Sequence, residues 1–414
     1  MVEQTEQNMN DSRENDTEHN NKLDPTSPEE FNVDEFREAY GEDLTDTINL
    51  DTWPLGQDLA KQYARLAEEV RNAVQDEQKI SSTVRKEVFP KIEEADKAPN
   101  AGLHCFDIKM IEKCHKGFLF NGGVEACDGI SVVHDTLPLS ITQIGVCLVS
   151  YNGQQGSFVH RLYRRDLRLK GKDPVKEALE MLERRSGRES VGIEDSRAAL
   201  SSLARRGIMA YAERAILLEK SNANWLMGHG SPLPYELMTG FWASRPEMTD
   251  SALTLMSNMV LNHQKFVYVP SAPRKRDLLT LGNALLPMEY LILYTLEDDL
   301  TERIDFGGYR GEIRKKVEEF THEVGSKVAV GLFRVSSLSP PYLFYAHVDH
   351  VQTAALIAMS DAALQLHRGF PMLIDIADHL CKTTFGQKDF LSSVQQAYTE
   401  TGNPTQFMGE RETR

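Results

Sequence analysis

The chain has 414 residues, a formal net charge of −16 at pH 7, 41% hydrophobic residues and 26% charged residues, a composition typical of a globular protein in water. No apolar stretch approaches the roughly 18 residues of a membrane span, and the N-terminal residues have neither the basic nor the apolar part of a secretory signal. We therefore expect a cytoplasmic protein without membrane contact, in two or three ordinary domains or one large domain with appendages.

The first segment, residues 1–34, is rich in small polar and acidic residues and almost lacks large apolar ones. Such a segment buries too little surface to offset its ordering entropy, so we predict a disordered acidic tail. Residues 1–31 contain nine acidic and two basic side chains, which places −7 of the −16 there and leaves −9 for the rest. Contact with a nucleic acid would therefore have to be local rather than spread over the whole surface.

The second segment, residues 35–100, is predicted to form a helical arm. Within it, residues 57–95 carry apolar side chains at three- and four-residue steps, until Pro90 interrupts or ends the helix. The side chains on this face are Leu59, Tyr63, Leu66, Val70 and Val74. The arm packs either on the rest of the chain or on a second copy, and a plain amphipathic helix on the core is equally compatible with the pattern.

The third segment, residues 101–414, alternates strand and helix patterns without a repeat, which predicts one large α/β domain. Short apolar or alternating runs predict the strands, among them the buried strand Ile144–Tyr151. The full set of predicted strands is a strand–turn–strand unit over 117–151, then 155–163, 225–227, 265–269, 328–334 and 342–348. Helices are predicted over 174–220 with a cap at Asp195-Ser196, and over 277–287, 310–323, 350–366 and 372–381.

The cysteine pattern indicates reduced thiols. Five cysteines are present, none in a CxxC pair, and we expect most of them to be buried. A zinc site at Cys114 and His115 would need a second ligand pair at a finger-like spacing, and the sequence has none.

One candidate for metal chemistry is Asp128, in the run Cys127-Asp128-Gly129. An aspartate at the end of a strand projects its carboxylate from a rigid element, which is a common way to hold a divalent cation. Asp-Gly is also the commonest turn dipeptide, and a simple turn is the favoured interpretation of this dipeptide alone.

Three further candidates are weak when each is taken alone. Glu213 borders the apolar stripe of a predicted helix, where a surface carboxylate is more common than a ligand. His229 lies between glycines at a strand end and is either a ligand or a loop residue. Asp378 and His379 lie on a predicted helix that follows a Gly-Phe-Pro turn. They are two metal ligands, one ligand and one proton-transfer group, or an exposed polar pair.

Basic side chains cluster twice along the chain. Such runs are usually solvent-exposed faces, and we favour that interpretation over phosphate binding unless the run flanks a metal site. The DNA-binding candidates are Arg161, Arg164, Arg165 and Arg168 in one group and Arg274, Lys275 and Arg276 in the other.

In this order the motifs resemble the NurA family. The resemblance covers about residues 100–395 and implies an RNase H-like α/β fold, a mixed sheet flanked by helices, in a metal-dependent nuclease. It also implies Mn²⁺ (or Mg²⁺) as cofactor, DNA as substrate, a homodimer, and docking on a HerA-type hexameric ATPase in DNA end processing, repair or defence.

The resemblance can be followed motif by motif. Asp128 matches the first metal-binding aspartate of the family, and Glu213 its helical glutamate. The segment Gly228–Leu233 matches an Asp-Gly-Ser-Leu or Asp-Gly-Pro-Leu motif, which places His229 where the family usually has aspartate. Phe370-Pro371 stands for Tyr-Pro, and Ala377–His379 for the closing Ala-His or Ala-Asp.

The histidine at position 229 sets the main alternative. Two-metal cleavage needs several anionic oxygens around a pair of cations, and imidazole suits manganese better than magnesium. The leading hypothesis is a nuclease in which Asp128, Glu213, His229 and Asp378 bind metal and His379 assists. The rival is an inactive adaptor or regulator of the ATPase with the same fold. A third hypothesis is an unrelated α/β binding protein, in which these acids would not converge.

Overall fold

The computed structural model describes residues 33–53, 59–136, 139–164, 175, 176, 179, 200–239, 242, 245–271, 276–306, 309 and 311–402. The chain separates into two compact units, residues 1–75 and residues 76–414. The predicted boundaries near residues 34 and 100 remain predictions.

The described part of the first unit is helical. It contains helix α1 (Val33–Tyr40), helix α2 (Leu44–Ile48) and most of helix α3 (Leu59–Thr83), which continues into the second unit. Tyr63, Leu66, Val70 and Val74 form the predicted apolar stripe of α3 and are between 51% and 65% exposed. The helix is therefore confirmed, and its apolar face is open to solvent.

In the second unit, a π-helical turn, Val84–Val88, joins the end of α3 to helix α4 (Phe89–Ala95). Pro90 lies in the first turn of α4, and the helical path continues through it to Ala95. The strands that follow are β1 (Gly102–Cys105), β2 (Val124–Thr136), β3 (Leu139–Ser150), β4 (Gly153–Arg164), β5 (Trp225–His229), β6 (Phe266–Val269), β7 (Glu289–Thr295), β8 (Val328–Arg334) and β9 (Tyr342–His347). The helices are α5 (Ile108–Cys114), α6 (Ser202–Lys220), α7 (Pro246–Ser257), α8 (Arg276–Asn283), α9 (Glu297–Phe306), α10 (Gly311–Phe320), α11 (Val351–Ala362), α12 (Met372–Phe385) and α13 (Gln387–Glu400).

One mixed sheet organises the second unit. Its nine strands have the order β1-β7-β8-β9-β6-β5-β2-β3-β4. The central strands β2, β5 and β6 are parallel to one another, and the other pairings are antiparallel. Strand β2 continues beyond the end of β5, so its second half pairs with β3 alone among the described strands. The predicted α/β class with a mixed sheet is confirmed.

Helices cover both faces of this sheet. On one face the core includes Cys127 of β2 with Ala210 and Leu217 of α6. On the other face it includes Ala126 of β2 with helices α11 and α12. Neighbouring residues of β2 thus face different helical layers, as the alternation of side chains along a strand requires.

Most of the predicted strands are confirmed, including β3, which is buried from Ile141 to Ser150. The prediction of a turn at Asp128-Gly129 is wrong, because both residues lie inside the 13-residue strand β2. Helix α6 is capped by the Ser201 side chain, which accepts from the Ala204 N–H at 3.1 Å. The cap predicted at Asp195-Ser196 lies outside the described residues.

Sequence patterns missed several described elements, namely β1, β7, α5, α7, α9 and α13. The described helices include none that combines the length and apolar character needed to cross a membrane. Among the five thiols Cys105 is exposed and the other four are buried, which confirms the expectation that most are buried.

Candidate active site

The candidate residues meet where the parallel strands of the sheet end. Register pairs Cys127 of β2 with Gly228 of β5, which brings the next residues, Asp128 and His229, side by side. Nδ1 of His229 lies 3.7 Å from Oδ1 of Asp128. The Asp128 side chain is 9% exposed, and its Oδ1 also accepts from the Gly129 N–H at 2.9 Å. Asp128 and His229 are therefore neighbours, with Asp128 nearly buried and His229 partly exposed.

Glu213 lies over Gly129, on the face of the sheet opposite to that of Asp128. A Cβ atom built on Gly129 would lie 2.6 Å from Oε1 of Glu213 and 2.9 Å from Cγ of Met209. The glycine in Asp-Gly is therefore needed for close approach of helix α6 rather than for a turn. The sulfur of Cys127 adds a contact of 3.5 Å to the Glu213 carbonyl oxygen.

The Glu213 carboxylate is mostly buried, with 13% of the side chain exposed. The expectation that it is a surface carboxylate is therefore wrong. Burial raises the pKa of Glu213 to about 7, with a further upward contribution from Asp128, although Arg214 acts in the opposite direction.

Arg214, the residue after Glu213, forms an ion pair with it. Its Nη1 donates to Oε2 of Glu213 at 3.2 Å and to the Ala210 carbonyl at 2.8 Å, and Nη2 donates to the Ser231 carbonyl. The guanidinium lies over the ring of Tyr268, 5.3 Å from its centroid. These contacts fix Arg214 in the core and leave it as a permanent partner of Glu213.

His229 is 37% exposed at the side chain and has two polar neighbours. Its Nε2 lies 3.2 Å from the Ser271 hydroxyl, and its ring stands edge-on to Phe370 at 6.0 Å between centroids. The interaction with Asp128 raises the pKa of His229 above its ordinary value, against the effect of burial. The imidazole is thereby held in one orientation toward the carboxylate.

Helix α12 supplies the third carboxylate and a lysine. Oδ2 of Asp378 lies 2.6 Å from Nζ of Lys382, one turn later, and this hydrogen bond raises the pKa of Lys382. The sulfur of Cys381, on the same turn, donates to the Asp128 backbone oxygen at 3.0 Å and so ties α12 to β2. Together these elements form a cleft of about 300 Å³, lined by Asp128, His229, Ser271, Tyr342, Arg368, Phe370, Ile374, Asp375, Asp378 and Lys382.

Two networks hold the N-terminal end of α12. Asp361, fully buried on α11, accepts from the Leu373 N–H at 2.8 Å and from the Tyr151 hydroxyl. Oδ2 of Asp375 accepts from Gln365 and Oδ1 from Arg368, both at 2.7 Å. The helix that carries Asp378 is therefore anchored to α11 and to the end of β3.

The donor types of the site fit a divalent cation of the manganese class, since Asp128, Glu213 and Asp378 offer oxygen and His229 offers nitrogen. The space kept free for Glu213 at Gly129 supports this fit. Within the described part of the chain, no three histidine, cysteine or acidic side chains have the arrangement of a formed metal centre. The reason is that Glu213 is turned toward Arg214 and Asp378 toward Lys382.

The remaining predicted residues lie elsewhere or outside the description. His379 is exposed and does not line the cleft, since adjacent residues on a helix point about 100° apart; its assisting role stays a prediction. Arg161 donates to Gln143 at 2.7 Å and lines a separate cavity of about 540 Å³. Arg164 ends β4 and Arg276 starts α8, whereas Arg165, Arg168, Arg274 and Lys275 lie outside the described residues.

Sequence reasoning missed two cations of the cleft. Lys382 follows Asp378 by four residues, and Arg368 precedes the Gly-Phe-Pro turn and lies over the ring of Phe370 at 5.6 Å. The spacing from Asp378 was the available signal for Lys382, but the same spacing occurs in ordinary surface ion pairs.

Several solved nucleases have a similar fold over much of the chain. The crystal structure of the NurA nuclease from Sulfolobus solfataricus is 11% identical and covers 82% of this chain and 98% of its own, with a TM-score of 0.39. A crystal structure of NurA bound to dAMP and manganese is 8% identical and covers 87% and 99%, with a TM-score of 0.40. Endonuclease V from Bacillus subtilis is 10% identical and covers 64% and 82%, with a TM-score of 0.30.

No protein-family model matches the chain, and no curated protein does. The similarity to the solved nucleases is weak in sequence and in superposition, so the chemistry of the cleft has to be judged from its own residues.

Proposed function

We propose that this chain is a metal-dependent DNA nuclease that hydrolyses phosphodiester bonds at the cleft between β2, β5 and α12. One observation carries the proposal. Asp128, His229 and Asp378 line a single cleft, and Glu213 packs over the adjacent Gly129 from the other face of β2, although these residues are far apart along the chain. Carboxylates and an imidazole gathered in one cleft are a frequent basis of metal-assisted hydrolysis.

In this proposal Asp128 and Glu213 hold a divalent cation, with His229 or Asp378 as a further ligand. When bound, the cation would activate water and stabilise the charge that develops on the phosphate. The residues of the chain have their own tasks. Asp128 orients the His229 ring from one side and Ser271 from the other, through the contacts of 3.7 Å and 3.2 Å. The ring of Phe370 packs edge-on against the imidazole.

The imidazole favours Mn²⁺ over Mg²⁺ in this proposal. Magnesium prefers oxygen ligands in octahedral geometry, whereas manganese accepts nitrogen more readily. We expect cleavage to be faster with Mn²⁺, and we expect a His229→Asp variant to reduce the difference between the two metals.

The test is cleavage of end-labelled linear DNA by the purified chain with Mn²⁺, Mg²⁺ or EDTA. Wild type is compared with Asp128→Asn and with Asp389→Asn, a control on the exposed side of α13. We expect Mn²⁺-dependent cleavage that falls by about 100-fold or more in Asp128→Asn and is unchanged in Asp389→Asn. Equal cleavage by wild type and Asp128→Asn would refute the proposal, as would no cleavage at all by folded protein.

We also infer that the chain forms a homodimer and works with a HerA-type hexameric ATPase. The support is the motif resemblance and, for the dimer, the exposed apolar stripe of α3. Light scattering of the full chain, wild type against Leu66→Glu with Val70→Glu, tests the dimer; a monomeric wild type would overturn it. Co-purification of the chain with such an ATPase tests the second inference, and loss of that complex in the charged variant would place the contact on α3.

A second candidate function is an inactive adaptor or regulator of the ATPase. Each carboxylate of the site already has a basic partner in the protein, Arg214 for Glu213, Lys382 for Asp378 and His229 for Asp128. A protein that binds the ATPase but neither Mn²⁺ nor DNA ends would support this function over the nuclease.

A further inference from the structure

The cleft contains a lysine that the metal hypothesis does not use. Nζ of Lys382 is 2.6 Å from Oδ2 of Asp378, and Lys382 lines the same cleft as Asp128 and His229. The side chain is 62% exposed, so its ammonium group is open to a ligand that enters from solvent. It therefore stands where substrate phosphate and a second metal ion would compete for space with it.

The charges of the cleft do not favour two divalent cations. Among the lining groups, Asp375 is balanced by Arg368 and Asp378 by Lys382, which leaves Asp128 as the uncompensated negative charge when His229 is neutral. Glu213, behind Gly129, is balanced by Arg214. One divalent cation and one phosphodiester would therefore bring the site to neutrality, whereas a second divalent cation would leave an excess of two positive charges.

Resting on the nuclease function proposed above, we propose that the site uses one metal ion and that Lys382 supplies the second cation, with its ammonium group binding a non-bridging oxygen of the scissile phosphate. Asp378 then acts as the holder of Lys382 in the absence of substrate rather than as a full metal ligand. A lysine is suited to this task because its compact ammonium group binds phosphate as a point charge on a flexible stem.

The substitution Lys382→Met keeps an unbranched side chain of similar length and removes the charge. Lys382→Arg keeps the charge, and Lys388→Met on α13 is a matched control for the loss of one exposed lysine. Thermal unfolding of each variant shows whether it is folded, and little change is expected because the pair is largely exposed.

Two measurements on the full chain test the proposal. Titration calorimetry counts the Mn²⁺ ions bound per chain, and fluorescence anisotropy in EDTA measures the binding of a short single-stranded DNA. We expect one ion per wild-type chain, and at least tenfold weaker DNA binding by Lys382→Met than by Lys388→Met, partly restored in Lys382→Arg. We also expect Lys382→Met to bind Mn²⁺ more tightly or to take a second ion, because Asp378 is released.

The possible results separate the two proposals. Two Mn²⁺ ions per wild-type chain, or equal DNA binding by Lys382→Met and Lys388→Met, would overturn the role of Lys382 and leave a metal-dependent nuclease in place. No Mn²⁺ bound by wild type would overturn the metal-dependent function itself, and the one-metal site with it.

Discussion

Gly129→Ala is the substitution that best tests how the site is assembled. A Cβ at this position would lie 2.6 Å from Oε1 and 3.1 Å from Cγ of Glu213, and 2.9 Å from Cγ of Met209. All three separations are shorter than ordinary contacts between carbon or oxygen atoms, and β2 is held on its other side by β3. Helix α6 or the Glu213 side chain would have to move.

The magnitude follows from two opposing effects. Overpacking of a close-packed interior costs about 1–3 kcal/mol, whereas replacing a strand glycine by alanine otherwise gains about 0.5–1 kcal/mol. We therefore expect Gly129→Ala to lower the free energy of unfolding by about 1–2 kcal/mol, as measured by urea denaturation. Gly117→Ala is the control, because a Cβ there meets no atom within 4 Å.

A double-mutant cycle with Glu213→Ala identifies the clashing group. Without the Glu213 carboxylate, the contact at 2.9 Å with Met209 remains of the three. The loss caused by Gly129→Ala should then decrease by about 0.5 kcal/mol or more. If Gly129→Ala is no more harmful than Gly117→Ala, or if its effect is the same in both backgrounds, Glu213 does not lie over Gly129 and the proposed site is not assembled in this way.

Three other predictions concern stability and accessibility. Arg214→Met leaves the buried Glu213 carboxylate without its cation and should lower the free energy of unfolding by about 3–5 kcal/mol. Arg206→Met, at a position 60% exposed, is the control and should change it by about 0.5 kcal/mol or less. Equal effects of the two substitutions would contradict the buried ion pair. Burial raises the pKa of Asp361 from 3.8 to about 6, so its charged form destabilises the folded protein above pH 6, and protonation removes this cost as the pH falls toward 3.8. Across that range, the free energy of unfolding of wild type in urea should rise by up to about 3 kcal/mol relative to that of Asp361→Asn. A difference that does not change with pH would refute the shift. A thiol reagent should modify Cys105 rapidly in the native chain and all five cysteines after denaturation, and rapid reaction of a second thiol would contradict the burial of the other four.

Much of the fold followed from local patterns. The alternating and apolar runs predicted β3, β4, β6, β8 and β9, because a strand buried in a sheet leaves a short apolar signature that does not depend on its partners. Helix α13 was missed because its buried side chains, Phe390 and Val394, are few and its remaining positions are polar.

The site was predicted in its residue types and not in its geometry. Asp128-Gly129 suggested a turn. The glycine is instead needed because the Glu213 side chain packs against it, a contact that only the tertiary fold creates. Lys382 was overlooked because a lysine four residues after an aspartate is common on helices, and the sequence does not show that this helical face forms the wall of a cleft.

The groups of the proposed active site come from both layers of helices and from the sheet between them. Glu213 belongs to the layer on one side of the sheet and Asp378 to the layer on the other, with β2 between them. A fragment that retains a single layer would keep an incomplete set of donors, however well that fragment folded. Recovery of metal affinity after refolding would therefore show that both helical layers had assembled on the sheet. Local unfolding of either layer would weaken metal binding before the rest of the molecule unfolded.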